Sequence, residues 1–155
     1  MNSQATIYGN LSPQLLEQVL TAHERYARRE PGGQRAVFKF VQLSRLNLSA
    51  RMLDDADFTA AAMVETQLIR TSLKRASFFG ADLTLADLRA ADCSRADLRG
   101  AVMRGANLAH ANLNEADMRR AVLAVYEPGA GLRRWRPASN ERSQASLRGS
   151  NLNAA

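Results

Sequence analysis

The sequence predicts an all-β solenoid of about five coils with a square cross-section, closed at its N-terminal end by an α-helix. Three observations lead to this fold class. An apolar residue recurs at every fifth position, a small residue usually stands two places before it, and aromatic rings recur twenty residues apart at Phe38, Phe58 and Phe78. A helical pattern before residue 30 and a break in the rhythm near residue 126 are the two exceptions.

The five-residue period begins at Phe38 and continues without a slip to Leu123, over eighteen consecutive words. On an α-helix five residues advance about 500°, so successive apolar residues would form no stripe. On a continuous strand an odd spacing would send them to opposite faces. The chain must therefore be locally extended and turn a corner after each word, which produces a solenoid lined by the apolar positions.

The aromatic residues indicate how many words make one coil. With four words per coil, residues twenty apart stack, and the three phenylalanines share one column. Stacked coils lie about 4.8 Å apart, which suits offset aromatic rings. The predicted core includes Phe38, Phe58, Phe78, Leu83, Leu88, Cys93, Leu98 and Leu108, and Cys93 is expected to be buried and inert.

The repeated words carry a family resemblance. "ADFTA", "ADLTL", "ADLRA" and "ANLNE" are similar to the A(D/N)LXX word of the pentapeptide repeat family, over roughly residues 36–125 and again in "ASLRGSNLN" near the end. The resemblance implies a right-handed quadrilateral β-helix of about five coils. It also implies that the central Leu or Phe and the small residue two before it lie inside, with the other three residues outside.

Residues 1–35 are predicted to form a capping segment with a helix at about residues 12–29. Ser12 suits the N-cap, Pro13 suits the first turn, and Pro31 to Gly33 form a stop signal. One face would carry Leu15, Leu16, Val19, Leu20, His23 and Tyr26. We expect this face to cover the open end of the first coil, whose backbone groups would otherwise be unpaired; a helix on a membrane surface is the alternative.

The first coil differs from the later ones in its inward slots. Val41, Leu46 and Arg51 stand where later words have alanine, and this taper predicts that the first coil packs against another element. An unpaired buried guanidinium would be very costly. We therefore expect Arg51 to turn outward or the backbone to be distorted there.

Residues 36–155 are predicted to form the β-helix, interrupted by a loop at residues 126–144. The rhythm resumes with Leu147 and Leu152 as centres, so twenty words complete five coils if the loop leaves one corner and returns at the next. The loop contains Arg133, Arg134, Trp135 and Arg136. This composition suits a site that grips phosphates or carboxylates and stacks on a flat group; the alternative is a solvated loop with the tryptophan folded back on the coils.

An apolar strip is predicted on the outer surface of the side centred on Met63, Leu83 and Met103. Its outward residues include Val64, Leu85, Val102 and Val122. Such a strip could contact a partner, a second copy of the chain or the cap. Scattered surface apolar residues with no role are the alternative.

No catalytic, cofactor or metal site is predicted. Aspartates of successive words, such as Asp82 and Asp87, lie on different sides of a square coil and are expected to form hydrogen bonds near the corners. His23 and His110 lie far apart and Cys93 faces inward, so no cluster has metal-ligand spacing. The same placement leaves no nucleophile beside a base.

Charge and composition bound the choice of partner and compartment. The chain carries 21 basic and 15 acidic residues, but residues 41–125 carry eleven and ten, so the excess lies at the ends. The single cysteine excludes an internal disulfide, and a reducing cytoplasm is the expected compartment. No run approaches the roughly 20 apolar residues that cross a bilayer, and the first residues lack the features of a signal peptide.

These observations predict a non-enzymatic scaffold that binds a protein partner through flat faces and the Arg/Trp loop, with a homodimer as one form of that partnership. The family resemblance implies a second function, since some members imitate DNA and modulate or protect DNA gyrase. The nearly neutral body argues against it, because DNA mimicry requires a strongly acidic surface. The third hypothesis is that the basic ends bind nucleic acid or an anionic membrane.

Overall fold

A computed structural model describes residues 9–120, 124–127, 131–134 and 151 of the chain. Its regular elements are β1 (Gly9–Asn10), α1 (Pro13–Ala27), β2 (Val41–Gln42), β3 (Ala124–Glu127) and β4 (Gly131–Arg134). β1 pairs in parallel with β2, and β3 pairs antiparallel with β4. Between α1 and β3 the described residues form a quadrilateral β-helix, whose coils are joined by parallel bridges one residue wide.

The bridges show that each coil contains four words. They join residues twenty apart, from Val37 with Asp57 to Asp97 with Asp117. We label the four sides A to D by the words centred on Phe38, Leu43, Leu48 and Leu53, and their successors at intervals of twenty. The square cross-section predicted from the three phenylalanines is confirmed.

The chain turns at the second residue after each centre. Sixteen successive corner residues, from Phe40 to Glu115, have positive φ, and only three of them are glycine. At fifteen of these sixteen corners the carbonyl of the centre accepts the N–H three residues later, as Leu88 does from Ala91 at 3.0 Å; the exception is the corner at Ala50. A non-glycine residue in this conformation costs about 1 kcal/mol. Cross-coil bonds stabilise the bend, such as the corner N–H of Ala90 to the Ala109 carbonyl at 3.0 Å.

The centres of the words form four buried columns. On side A the rings of Phe38 and Phe58 stack at 5.3 Å, and those of Phe58 and Phe78 at 5.0 Å. All eight predicted core residues are at most 1% exposed. Where threonine replaces the inward alanine, its hydroxyl is satisfied: Thr66 donates to the Leu43 carbonyl at 2.9 Å. The threonine hydroxyls that line the coils are therefore placed where a neighbouring coil supplies a partner.

Side-chain hydrogen bonds explain the Asp or Asn before each centre. Its side-chain oxygen accepts the N–H two residues later, as Asp82 does from Thr84 and Asn112 does from Asn114, at 3.0 and 3.1 Å. This is the local turn geometry that Asp and Asn favour. Where the word lacks them, a side chain of the preceding coil substitutes, as the Ser44 hydroxyl does for the N–H of Val64.

Helix α1 covers the N-terminal end of the core. Ser12 is its N-cap and accepts from the Leu15 N–H, with Pro13 in the first turn. Leu16, Leu20 and His23 are buried, but Leu15 and Tyr26 are 36% and 38% exposed. The predicted six-residue buried face is therefore too wide. The helix rests on the end of a narrow square tube, so only about one residue per turn faces the coil.

Arg51 is partly exposed and paired, and its carbonyl accepts from the Ser72 N–H at 2.9 Å as in the regular repeat. The backbone departs from the repeat in one bond, because the N–H of Arg51 does not donate to the carbonyl of the preceding centre, Leu48. One guanidinium nitrogen bonds both carboxylate oxygens of Glu17 at 2.7 and 2.8 Å, and another bonds Glu24 at 3.3 Å. Because both glutamates lie on α1, the residue that departs from the repeat pattern joins the cap to the first coil.

The interruption begins as a β-hairpin. β3 and β4 pair with Ala124 opposite Arg134 and Glu127 opposite Gly131, so part of the segment predicted as a loop at 126–144 is regular structure. Asn151 forms a parallel bridge with Asn112 on side D, and its carbonyl accepts from the Leu113 N–H at 2.7 Å. The chain thus re-enters the coil in the register that the twenty-word count requires, immediately before Leu152.

Candidate partner-binding surface

The sequence singled out two regions for partner binding, the outward strip on side B and the segment that interrupts the repeats. The fifth coil is present on side A at Asp117 and on side D at Asn151. The hairpin β3–β4 lies between these two points in the sequence. The edge between sides B and C is formed by the corner residues Arg45, Glu65, Leu85 and Gly105, and we call it the B–C edge.

Leu85 is the most exposed large apolar residue in the described part of the chain, at 53%. Its φ of 57° is the left-handed conformation of a corner, in which a leucine is strained. The next corner along this edge is Gly105, which has no side chain to lie against Leu85. On the other side, Glu65 is held by Arg45 at 3.3 Å. Leu85 therefore projects from the edge with an open position next to it.

The rest of the predicted strip is discontinuous. Val64 and Val102 are half-buried, and Asp82 and Thr84 lie between them with only 5% and 9% exposure. The interpretation of side B as a flat exposed apolar strip is therefore wrong for the described coils. Its outward positions are partly polar, and among the described apolar residues of this side only Leu85, at its margin, is well exposed.

The basic part of the predicted site lies partly on the hairpin. Arg133 stands opposite Val125, and Arg134 opposite Ala124, in the register of β3 and β4. Trp135, Arg136 and Val122 lie outside the described residues. The structure thus places the backbone of Arg133 and Arg134 in strand β4 of the hairpin.

Ion pairs across coils occupy much of the remaining surface. On side D, Arg75 forms two bonds to Asp55 at 2.7 and 2.8 Å, and Arg95 bonds Glu115 at 2.7 Å. The Arg75 guanidinium holds the pKa of Asp55 below its usual value, which shows that the pair favours the charged forms. With their charges matched in this way, these sides do not present the continuous acidic surface that imitation of DNA requires.

The remaining reactive side chains have structural environments. Burial raises the pKa of the Cys93 thiol to about 12, so the nucleophilic thiolate is not populated near neutral pH. His23 is buried under the cap and His110 is exposed at a corner. Among the described residues, no group of three or more His, Cys, Asp or Glu is placed to hold a metal ion.

Comparison with known proteins identifies the repeat. The pentapeptide repeat family model matches residues 53–89 and 86–123, with eight copies. This chain belongs to the pentapeptide repeat family. Its fold is the right-handed quadrilateral β-helix that the sequence predicted. No curated protein is significantly similar to it in sequence.

Solved pentapeptide repeat proteins share this fold. One from the thylakoid lumen of Arabidopsis thaliana is 31% identical, with a TM-score of 0.50; the match covers 72% of this chain and 61% of that protein. One from Nostoc is 26% identical, with a TM-score of 0.58, covering 72% and 82%. This chain therefore spans about three fifths of the Arabidopsis protein. In the part of the chain that the structure describes, no helix is long and apolar enough to cross a membrane.

Proposed function

We propose that this protein is a non-enzymatic scaffold that binds a protein partner at the B–C edge, through Leu85 and the hairpin β3–β4. The observation that carries the proposal is the 53% exposure of Leu85 at a strained corner. Leucine at such a position contributes little to the core and lowers solubility, whereas an exposed apolar residue suits a contact with a partner. The partner would be an apolar protein surface with acidic groups that can face Arg133 and Arg134.

The deciding experiment compares two substitutions at equivalent corners. Leu85→Glu places a charge at the B–C edge, and Ala90→Glu places the same charge at the next corner of the same coil. Both residues are exposed and have φ near 55°. Each variant is used in a pull-down from cells of the source organism, and the protein captured by the wild type is then purified for affinity measurement.

We expect Leu85→Glu to weaken binding of that purified protein at least about tenfold, because a buried unpaired charge at a contact costs more than about 1.4 kcal/mol. Ala90→Glu should bind like the wild type. Removal of residues 126–144 should weaken binding further. Equal affinities for both corner variants would rule out the B–C edge. If the captured protein is a second copy of this chain, light scattering will show the wild type as a dimer and Leu85→Glu as a monomer.

Binding of an anionic partner through the basic residues remains the competing proposal. It predicts binding to duplex nucleic acid or anionic vesicles that falls steeply with added salt and is abolished when Arg133, Arg134 and Arg136 are changed to alanine. A gyrase supercoiling assay that changes with added protein would instead support the DNA-mimic function. An unchanged assay together with absent or salt-insensitive binding favours the protein scaffold.

A further inference from the structure

His23 occupies the junction between the cap and the coil. It is fully buried, and its Nδ1 accepts the backbone N–H of Ala36 at 2.9 Å. Ala36 is the inward residue of the first word, so this bond joins α1 to the beginning of the β-helix. The ring also stacks on Tyr26 at 5.5 Å between centroids.

The protonation state of the His23 ring follows from these contacts. Because Nδ1 accepts a hydrogen bond, the neutral ring carries its proton on Nε2. Nε2 is buried without a hydrogen-bond partner. The backbone of Asp54 is the polar group near the ring that favours its charged form. A second proton would have to be placed on Nδ1, where it would meet the N–H of Ala36 donor to donor. The ring can therefore charge only if this contact opens.

The groups around the ring do not compensate for its burial. Burial lowers the pKa of His23 below its usual value of 6.5, while the backbone of Asp54 and the charges of Asp54 and Asp55 oppose the shift and Arg35 adds to it. Asp55 is already bonded by Arg75. A lowered pKa stabilises the closed cap fully above pH 6.5, and this stabilisation is lost as the pH falls through the folded-state value.

We propose that His23 is a pH-sensitive latch, and that protonation of its ring breaks the bond to Ala36 and releases α1 from the first coil. Release would uncover the N-terminal end of the core, which includes Phe38. The remaining links of the cap are the ion pairs of Arg51 with Glu17 and Glu24 and the bond from the Gln34 N–H to the Ala22 carbonyl. These links consist of carboxylates, a guanidinium and backbone groups, and none of them contains an imidazole.

The full-length chain offers an internal control, because it contains two histidines and the other, His110, is exposed. Amide hydrogen exchange of peptides from α1 is measured at pH 7.5 and pH 5, corrected for intrinsic exchange. We expect the opening equilibrium of α1 to rise about thirtyfold at the lower pH, because the released ring has an ordinary pKa near 6.5 and the closed ring does not take up the proton. His110→Gln should behave like the wild type.

His23→Asn separates the titration from the contact, since the Asn side-chain oxygen can occupy the place of Nδ1 and does not ionise. In this variant, opening of α1 should be the same at both pH values. Equal opening of wild-type α1 at pH 7.5 and 5, or an equal rise in His23→Asn, would overturn the latch. If His23→Asn does not retain a closed cap, NMR titration of the wild type decides. A His23 signal that titrates normally while α1 stays protected also overturns the proposal.

Discussion

The middle coils repeat one set of contacts every twenty residues, whereas the N-terminal cap depends on contacts that occur once. In the coils, each centre lies in a column, each corner has a left-handed residue, and most words have an Asp or Asn that closes the turn. At the cap, Arg51, His23 and Gly33 each make a different contact. A substitution in the coils therefore tests a contact that recurs from coil to coil, whereas a substitution in the cap tests a contact that occurs once.

This difference explains where irregular residues are tolerated. A middle coil has similar coils above and below it. A side chain that does not fit the repeat pattern must therefore lie either in a buried column or in water. The first coil has a helix on one side instead, and Arg51 finds two carboxylates there. At its N-terminal end the β-helix can stop because its first coil packs against an element that is unlike a coil, the helix α1.

The largest expected effect is that of Leu88→Asp in the middle coils. Leu88 is fully buried among columns that offer no polar partner for a carboxylate. We expect a loss of about 4 kcal/mol or more in the free energy of unfolding, enough to unfold the coil and its neighbours. Urea titration followed by circular dichroism measures it. Ala90→Asp, at an exposed corner of the same coil, is the control, and an unchanged folded spectrum for Leu88→Asp would show that the inward assignment is wrong.

The next effect separates close approach from backbone strain at the cap. A Cβ on Gly33 would run into the backbone nitrogen of Tyr26, whereas one on Gly32 would meet nothing within 4 Å but would be strained by its φ of +76°. We expect Gly33→Ala to lower stability by about 2 kcal/mol and Gly32→Ala by about 1 kcal/mol. Thermal unfolding of both variants checks the order. If Gly33→Ala costs no more than Gly32→Ala, the close approach of the chain to α1 does not exist.

A smaller effect compares ion pairs in the two regions. Arg51→Met removes the bonds to Glu17 and Glu24 at the half-buried joint, and Arg95→Met removes the exposed bond to Glu115 on side D. We expect a loss of about 1 kcal/mol for the first and under about 0.5 kcal/mol for the second, because exposed pairs are screened. A double-mutant cycle with Glu17→Gln isolates the coupling at the cap. Equal losses would mean that the cap pair is no more than a surface contact.

The smallest effect concerns one carboxylate at the end of side A. The Arg119 guanidinium, bonded to Asp117, lowers the pKa of that carboxyl to about 2. Arg119→Gln should raise this pKa toward 3.8, although Arg99 at 3.7 Å will retain part of the shift. NMR titration of the Asp117 side chain measures the change. An unchanged pKa would show that the pair does not form in solution, and the fold should be unaffected in either case.

Much of the fold could be predicted from the sequence because the repeat is a local rule used many times. The spacing of Phe38, Phe58 and Phe78 indicated the square, and the count of words placed the return of the chain beside Asn112. The burial of Cys93 followed from its place in a column. These predictions depended only on period and polarity, which repetition makes unambiguous.

The contacts that occur once could not be predicted in the same way. β1 consists of Gly9 and Asn10, too short for any pattern to identify, and it forms because β2 offers it an edge. The hairpin of β3 and β4 lies where the rhythm stops, so periodicity says nothing about it. The exposure of Leu15 and Tyr26 depends on how α1 lies across the tube. Each of these is set by a neighbour distant in sequence.

By itself, the sequence determined a four-sided coil, its inward columns and the helix that precedes it, because each follows from spacing along the chain. Tertiary structure alone decided that Arg51 and His23 join the cap to the first coil, and that Leu85 is the one well exposed residue among the described members of the predicted strip, Val64, Leu85 and Val102. The reason is physical: period and polarity state which way a side chain points relative to its own backbone. Only the packing of separate segments decides what it meets there.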